Sequence, residues 1–387
     1  MNNIADIMIG SVRAQVCGCD YSVGEDISEE ELGALYSLSK HQDMAHIVAA
    51  ELGRQKKLGD GEISAKFKKQ QMIAVLRYER INYELSEVCA LLEAEGIDHI
   101  PLKGSVIREY YPEPWMRTSA DIDMLVRMEE LERAKNLICE RLGYQTDEVM
   151  LEHDISMFSP SGVHLELHFA TMEEYCAVNA KAVLERIWDY AYLKEGCEHR
   201  YLISDDLFYF YHIAHMAKHF EYGGVGLRFY LDMWILNRLE HNREKRELLL
   251  REGGLLTFEQ VASELCGVWF DGEKHNKRTL QMQAHVLGNG IYGSSEGKTA
   301  WNQIKKGGKV KHVLSLIFLP YDQMVYRYPS VKKYKILFPF YQVRRWFSTI
   351  FHGRSGKLVR IVKANEEVAQ NQRGGIEKML KDLELIP

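Results

Sequence analysis

Two aspartates, Asp121 and Asp123, flank one apolar residue in the segment 121–126, DIDMLV. Aspartate is a poor strand former, yet the apolar residues here have the composition of a buried strand. Residues two positions apart in a strand project from the same face of a sheet. The chain must therefore form a sheet with one face that accepts two carboxylates, the oxygen ligands that Mg²⁺ prefers. The alternative is a turn at a strand end, with both acids solvated.

A glycine turn lies just upstream of this strand. Gly104 and Ser105 stand between an apolar strand over 98–102 and a helical pattern over 105–111, so that their backbone amides could face an anion at a helix N-terminus. Lys103 and Arg117 flank the two motifs and could meet phosphate oxygens, for which the planar guanidinium is well suited. A plain helix-start turn with a solvated lysine would have the same pattern.

A hairpin is predicted further along the chain, with strands over 156–158 and 163–169 joined by the turn 159–162. In the second strand, alternation places His164, Glu166 and His168 on one face. Glu166 is therefore the candidate for a third carboxylate of a metal site. The competing interpretation is an ordinary half-exposed strand with its polar residues outward.

The stretch PLKGSVIREYYP, followed by RTSADIDMLV, resembles the nucleotidyltransferases of the DNA polymerase β superfamily. It is most similar to a bacterial group known only as nucleotidyltransferase family proteins. The resemblance covers residues 97–168, with weaker similarity in the segments that begin at His212 and at Tyr326.

This resemblance implies a set of roles for the motif residues. Gly104 and Ser105 would bind the terminal phosphates of a nucleoside triphosphate such as ATP, with Lys103 and Arg117 as further phosphate contacts. The carboxylates of Asp121, Asp123 and Glu166 would be the catalytic ligands of two Mg²⁺ ions. The group carries an acidic residue followed two positions later by histidine, and Glu166 and His168 match that pattern.

The expected fold is α/β (α+β), with a polymerase β-like nucleotidyltransferase core and a small mixed β-sheet. Apolar spacing predicts helices over 28–55 and 63–95 before this core. From residue 205 to about residue 270 the pattern is again helical, and a glycine-rich interval over 288–297 indicates a loop. Three regions follow from these patterns: 1–75, N-terminal and helical; 76–203, the catalytic domain; and 204–387, a mainly helical C-terminal domain.

Three histidines recur on the helix after residue 204. His212, His215 and His219 are spaced at i, i+3 and i+7, which stacks them on one helix face. No HExxH arrangement accompanies them, so a zinc site is not indicated. Instead, His215 and His219, together with His168, are candidates to touch the acceptor or the nucleotide.

Arg228, on the following helix, is a further candidate for the cleft. It is expected to form an ion pair with Asp232 that orients the helix, or a modest surface pair at i, i+4.

The segment 324–363 is basic and aromatic, with ten Lys/Arg and no Asp or Glu. Such residues attract phosphate and can stack on bases or lie at a lipid interface. The favoured interpretation is a pair of helices with buried aromatic residues and solvated cations. A nucleic-acid track is the alternative, and the net charge of −6 for all 387 residues argues against nucleic acid as a partner.

Composition points to a cytoplasmic protein. Seven scattered cysteines without CxxC spacing suggest neither a disulfide framework nor a zinc site. No segment has the length of a transmembrane span, and no signal peptide is evident.

The sequence therefore predicts a Mg²⁺-dependent nucleotidyltransferase that moves NMP from an NTP to an acceptor hydroxyl. The acceptor, a small molecule, a sugar or a protein, is not specified by the sequence. The alternative is a non-catalytic protein on the same fold that senses nucleotides or binds a partner.

Overall fold

The computed structural model describes most of the chain. The described residues are 2–24, 27–146, 154–171, 179–221, 224–289, 299, 301–304, 308, 318–319, 321, 324, 328, 330–351 and 370–386.

Four helices precede the sheet: α1 (Asn2–Val16), α2 (Glu29–His41), α3 (Ala45–Arg54) and α4 (Glu62–Ala94). The single helix predicted over 28–55 is wrong, because the chain breaks at Asp43, which adopts a left-handed φ of 56°. The helix predicted over 63–95 is confirmed as α4. It continues without a break through residues 75 and 76, where the first domain boundary was placed, and the three-region division stays a prediction.

A five-stranded sheet follows, with spatial order β1-β2-β5-β4-β3. Its strands are β1 (His99–Pro101), β2 (Asp121–Val126), β3 (Gln145–Thr146), β4 (Asp154–Phe158) and β5 (His164–His168). Strands β2 and β5 are parallel, and the other neighbouring pairs are antiparallel. The predicted small mixed sheet and the α/β class are confirmed.

Short helices connect the first strands. The helix α5 (Gly104–Ile107) and two 3₁₀ turns, Arg108–Tyr110 and Pro114–Met116, lie between β1 and β2. The helix α6 (Leu131–Leu142) follows β2 and ends at Gly143, whose φ is 72°. The crossover through α6 and the hairpin allows β5 to lie beside β2.

The two faces of the sheet belong to different apolar clusters. Ile122, Met124 and Val126 of β2 are buried in a cluster with the second half of α4 and with α6. Leu125 belongs instead to the larger cluster, which includes α1–α3 and the C-terminal helices. Since strand residues alternate, Asp121 and Asp123 lie on the side of Leu125, toward the C-terminal helices.

Those helices are α8 (Asp205–Glu221), α9 (Leu227–Leu236), α10 (Arg243–Glu252), α11 (Leu256–Cys266) and α12 (Lys277–Asn289). Before them come α7 (Ala180–Leu184) and the two-stranded ribbon β6 (Ala191–Leu193) and β7 (Tyr201–Ile203). The prediction of helices from 205 to about 270 is confirmed. Of the loop predicted over 288–297, residues 290–297 lie outside the described part.

Beyond α12 the described elements are α13 (Ser330–Lys333), a 3₁₀ turn (Lys335–Leu337), α14 (Phe338–Phe351) and α15 (Gln370–Asp382). Among the helices of the described residues, none has the length and the apolar character needed to cross a membrane.

Candidate metal centre and cleft

The acidic residues meet because of the register between β2 and β5. Asp121 is aligned with His164, and Asp123 is aligned with Glu166 on the neighbouring parallel strand. Two groups of potential ligands result, Asp121 with His164 and Glu166, and Asp123 with Glu166 and His168. Within each group the ligand atoms lie within 4.8 Å of one another. The three predicted carboxylates are therefore close together, and Glu166 belongs to both groups.

This donor set fits a hard divalent cation. Three carboxylates supply oxygen ligands on one face of the sheet, as Mg²⁺ requires. A hydrogen bond from His168 lowers the pKa of Glu166, so this carboxylate is ionised near neutral pH. Burial raises the pKa of Asp121, and the charges of Asp123 and Glu166 raise it further. Repulsion among the three carboxylates is the condition that a bound cation relieves.

Asp123 is the most strongly engaged of the acids. The Lys103 Nζ lies 2.5 Å from its Oδ1, and the His168 Nε2 lies 2.9 Å from the same oxygen. Burial would raise the pKa of Asp123, but the Lys103 ammonium and the hydrogen bond from His168 outweigh it and hold that pKa well below its usual range. Likewise, the charge of Asp123 outweighs burial and raises the pKa of Lys103. The charge of Asp123 is therefore balanced from within the protein.

Lys103 is held in a strained backbone conformation. Its φ of 45° and ψ of −120° match the first central position of a type II′ turn, which is normally glycine. The Ser105 N–H donates to the Leu102 carbonyl at 3.1 Å and closes the turn. The sequence places the glycine one position later, at Gly104. Strain at a non-glycine residue persists where the side chain is needed, and here that side chain contacts Asp123.

A pair of substitutions isolates this strain. Lys103→Gly and Lys103→Ala both remove the ammonium, but only alanine keeps a Cβ in the left-handed region. We expect the glycine variant to be more stable by about 1–2 kcal/mol, measured by urea unfolding. At Lys69, inside α4, the order should be reversed, because glycine destabilises a helix interior relative to alanine. Equal stability of the two variants at position 103 would contradict the strain.

Gly104 and Ser105, which were also predicted to contact phosphate, differ in their position relative to the cleft. Gly104 lines the cleft, and a Cβ there would lie 3.1 Å from the Ser119 Cβ, so a larger residue would need Ser119 to shift by a few tenths of an ångström. Ser105 does not line it, and its buried hydroxyl has no hydrogen-bond partner in the described part of the chain. The Ser105 amide is used by the turn itself. Of Gly104 and Ser105, whose backbone amides were predicted to face an anion, only Gly104 therefore lines the cleft.

The buried Arg108 stabilises this turn and was not identified from the sequence. Its Nε donates to the Gly104 carbonyl at 2.7 Å, and its Nη2 donates to the Ser119 Oγ at 2.6 Å. Burial, followed by the charge of Arg117, lowers the pKa of Arg108 to about 10. The contacts fix Gly104 and Ser119 at the edge of the cleft, and no acceptor for the Ser119 hydroxyl hydrogen lies among the described residues.

Arg117 lines the cleft, but its guanidinium already has a partner. Its Nε lies 2.8 and 2.9 Å from the two carboxylate oxygens of Asp232, and the Tyr111 hydroxyl donates to the same carboxylate at 2.6 Å. Arg117 and Asp232 are 6% and 0% exposed. The pair joins the segment between the 3₁₀ turn Pro114–Met116 and β2 to α9. Contact of Arg117 with phosphate stays a prediction.

The predicted ion pair between Arg228 and Asp232 is wrong. The Arg228 Nη1 instead contacts the Asp43 Oδ2 at 2.8 Å, and the Thr118 Oγ1 donates to the same oxygen at 2.7 Å. Asp43 lies between α2 and α3, where the helix predicted over 28–55 is broken. This break therefore places a carboxylate in contact with Arg228, a residue that lines the cleft. Burial raises the pKa of Asp43, but Arg228 and His46 outweigh it and lower that pKa overall.

The cleft has a volume of about 350 Å³, and α8 and α9 form its second wall. The side chains lining this wall are Phe208, Tyr211, His212, His215, Lys218, His219, Arg228 and Phe229. His215, His219 and Arg228 are among these residues, and their contact with the acceptor or the nucleotide stays a prediction. His168 is not among the residues that line the cleft; its Nε2 instead lies 2.9 Å from the Asp123 Oδ1 and 3.4 Å from the Glu166 Oε2. Its contact with the acceptor or the nucleotide stays a prediction.

Three titratable residues that line the cleft were missed by the sequence analysis. Asp154, at the start of β4, is 2% exposed and is aligned with His168. Its signal was weak, since the hairpin strand was predicted to begin only at residue 156. Lys218 belongs to no recognisable sequence motif. Tyr211 is 2% exposed, and among the described residues its hydroxyl has no hydrogen-bond partner.

The electrostatics of the α8 wall differ from those of the sheet. Burial, and then the charges of His219 and Lys103, lower the pKa of His215 well below its usual value. The rings of His215 and His219 are 4.5 Å apart. Burial also lowers the pKa of His212, whose Nε2 lies 2.9 Å from the Phe229 carbonyl oxygen. Near neutral pH, His212 and His215 are therefore uncharged.

Comparison with known proteins supplies one match. A family described as "Uncharacterised nucleotidyltransferase" matches residues 28–271, which include both walls of the cleft. Neither the curated proteins nor the solved structures contain a match to this chain.

Proposed function

Because the chain belongs to this family of uncharacterised nucleotidyltransferases, we propose that it transfers a nucleoside monophosphate from an NTP to an acceptor hydroxyl. One observation carries the proposal: β2 and β5 align Asp123 with Glu166 beside Asp121, on the face that forms the cleft. The polymerase β-like superfamily is part of the same proposal.

Asp121, Asp123 and Glu166 would hold Mg²⁺. When bound, Mg²⁺ neutralises charge on the transferring phosphate and lowers the pKa of the attacking hydroxyl. The two ligand groups that share Glu166 support two ions. The reaction forms a bond between the acceptor oxygen and the α-phosphorus. It breaks the bond between the α-phosphorus and the oxygen that bridges the α- and β-phosphates. Pyrophosphate leaves, and the proton of the acceptor hydroxyl passes to water.

The protein's own groups align the reactants. The cleft volume of about 350 Å³ is within the range of small-molecule sites. Lys103 brings a permanent positive charge to the carboxylates. Gly104 has no side chain, so a substrate can approach the backbone closely at this position. The hydroxyls of Ser119 and Tyr211 are donors for a substrate oxygen. Ile107, Phe208 and Phe229 add apolar surface, which excludes water and strengthens these electrostatic contacts.

A labelling experiment tests the reaction class. The protein is incubated with Mg²⁺, a cell extract and each NTP labelled at either the α- or the γ-phosphate. We expect label to pass from the α-labelled NTP to an acceptor, and no label to pass from the γ-labelled NTP. Transfer from the γ-position would indicate phosphoryl transfer instead. Nucleotide binding without transfer of either label would favour the non-catalytic alternative.

A further inference from the structure

Residues 330–351, here called the C-terminal amphipathic segment, lie outside the family match, which ends at residue 271. The segment comprises α13, the following 3₁₀ turn and α14. None of its described residues lines the cleft.

One side of the segment packs against the protein. Val331, Gln342 and Arg345 are 0%, 4% and 8% exposed. The Gln342 Nε2 donates to the Leu319 carbonyl at 2.6 Å, and the Trp346 ring lies 5.4 Å from the Phe318 ring in an edge contact. These contacts fix which side of α14 faces outward.

The outward side is apolar. Ile336, Phe340 and Val343 are 83%, 77% and 42% exposed, and Tyr334 is 53% exposed. Phe340 and Val343 are three residues apart in α14 and so lie on one side of that helix, and Ile336 is in the 3₁₀ turn that leads directly into it. This contradicts the sequence-based interpretation of buried aromatic residues for Tyr334 and Phe340. Exposed apolar side chains that are grouped in one segment mark an interaction surface.

The charges beside this side are of one sign. The segment contains five Lys/Arg and no Asp or Glu, in a chain of net charge −6. Lys333, Lys335 and Arg344 are exposed. A surface that combines outward apolar residues with cations alone is complementary to an anionic layer above an apolar one, the arrangement of anionic lipids.

The chemistry favours lipid over nucleic acid. Bases are bound by stacking on aromatic rings, whereas Ile336 and Val343 are aliphatic and have no π-face. Aliphatic and aromatic side chains alike lower their free energy by leaving water for the acyl boundary. We propose that the C-terminal amphipathic segment binds the surface of a membrane containing anionic phospholipids, with Ile336, Phe340 and Val343 inserted and the cations at the headgroups.

Co-sedimentation of the full-length protein with vesicles tests this proposal. Vesicles of phosphatidylcholine are compared with vesicles that also contain phosphatidylglycerol, at low and high salt. We expect binding to the anionic vesicles that weakens with salt. Phe340→Asp should reduce binding at least about tenfold. Leu248→Asp, at an exposed leucine of α10 that is 65% exposed, should leave binding unchanged.

A second variant separates charge from folding. Lys333→Gln combined with Lys335→Gln keeps the apolar side chains and should lose the dependence on phosphatidylglycerol. Failure of the native protein to bind anionic vesicles would overturn the proposal. Salt-sensitive binding to a single-stranded oligonucleotide without vesicle binding would also overturn it and would assign the segment to nucleic acid. Binding that is equal with and without phosphatidylglycerol would contradict the role of the cations.

Discussion

Replacing Asp123 by Asn is expected to abolish transfer of label from the α-labelled NTP. Asn has the same shape as Asp but carries no charge, so it binds a hard cation weakly. Loss of several kcal/mol of charge stabilisation corresponds to a decrease of at least about 10³-fold in rate. The label incorporated per unit time, with saturating Mg²⁺ and NTP, measures this decrease.

The fold should survive this substitution, because the Lys103 side chain is 22% exposed and its ammonium keeps the Glu166 carboxylate as a neighbour. The Asn carbonyl oxygen can still accept hydrogen bonds from Lys103 and His168, which lie 2.5 and 2.9 Å from the Asp123 Oδ1. Circular dichroism of the variant should match that of the native protein. Asp60→Asn changes an exposed aspartate outside the cleft and should leave the rate unchanged. A folded Asp123→Asn variant with the native rate would remove this carboxylate from the proposed reaction.

The paired carboxylates could be anticipated from sequence because the signal is local. Alternation over 121–126 and over 163–169 specifies which side chains share a face of each strand. The register that sets Asp123 beside Glu166 depends on β5 crossing over to lie parallel to β2, after α6 and the hairpin. No local pattern encodes that pairing, so the resemblance to a known family supplied the expectation that these acids converge.

The partners of the cations could not be anticipated for a different reason. A lysine or arginine beside an acidic motif has the same sequence pattern whether it binds phosphate or a carboxylate of the protein. Arg117 and Asp232 are separated by 115 residues, and only the packing of α9 against the sheet brings them together. The strain at Lys103 was equally hidden, because the turn around it depends on the Leu102 N–H donating to the Asp123 carbonyl at 2.9 Å.

Replacing Asp232 by Asn is expected to lower the free energy of unfolding by about 3–5 kcal/mol. The substitution leaves the Arg117 guanidinium buried without its counter-ion, and removal of one partner of a buried pair costs more than the pair contributes. Tyr111 keeps an acceptor, because the Asn carbonyl oxygen can replace the carboxylate oxygen at 2.6 Å. Urea unfolding followed by tryptophan fluorescence measures the loss.

A double variant shows whether the unpaired charge is the cause. Arg117→Met combined with Asp232→Asn removes the guanidinium as well, and should be more stable than Asp232→Asn alone. Glu62→Gln breaks an ion pair on the surface of α4, where the Lys66 Nζ lies 2.7 Å from the Glu62 Oε1, and should leave the unfolding curve unchanged. If Asp232→Asn were as stable as the native protein, Asp232 would not be the group that stabilises the buried Arg117 charge. Equal stability of the single and double variants would assign the loss to packing around α9.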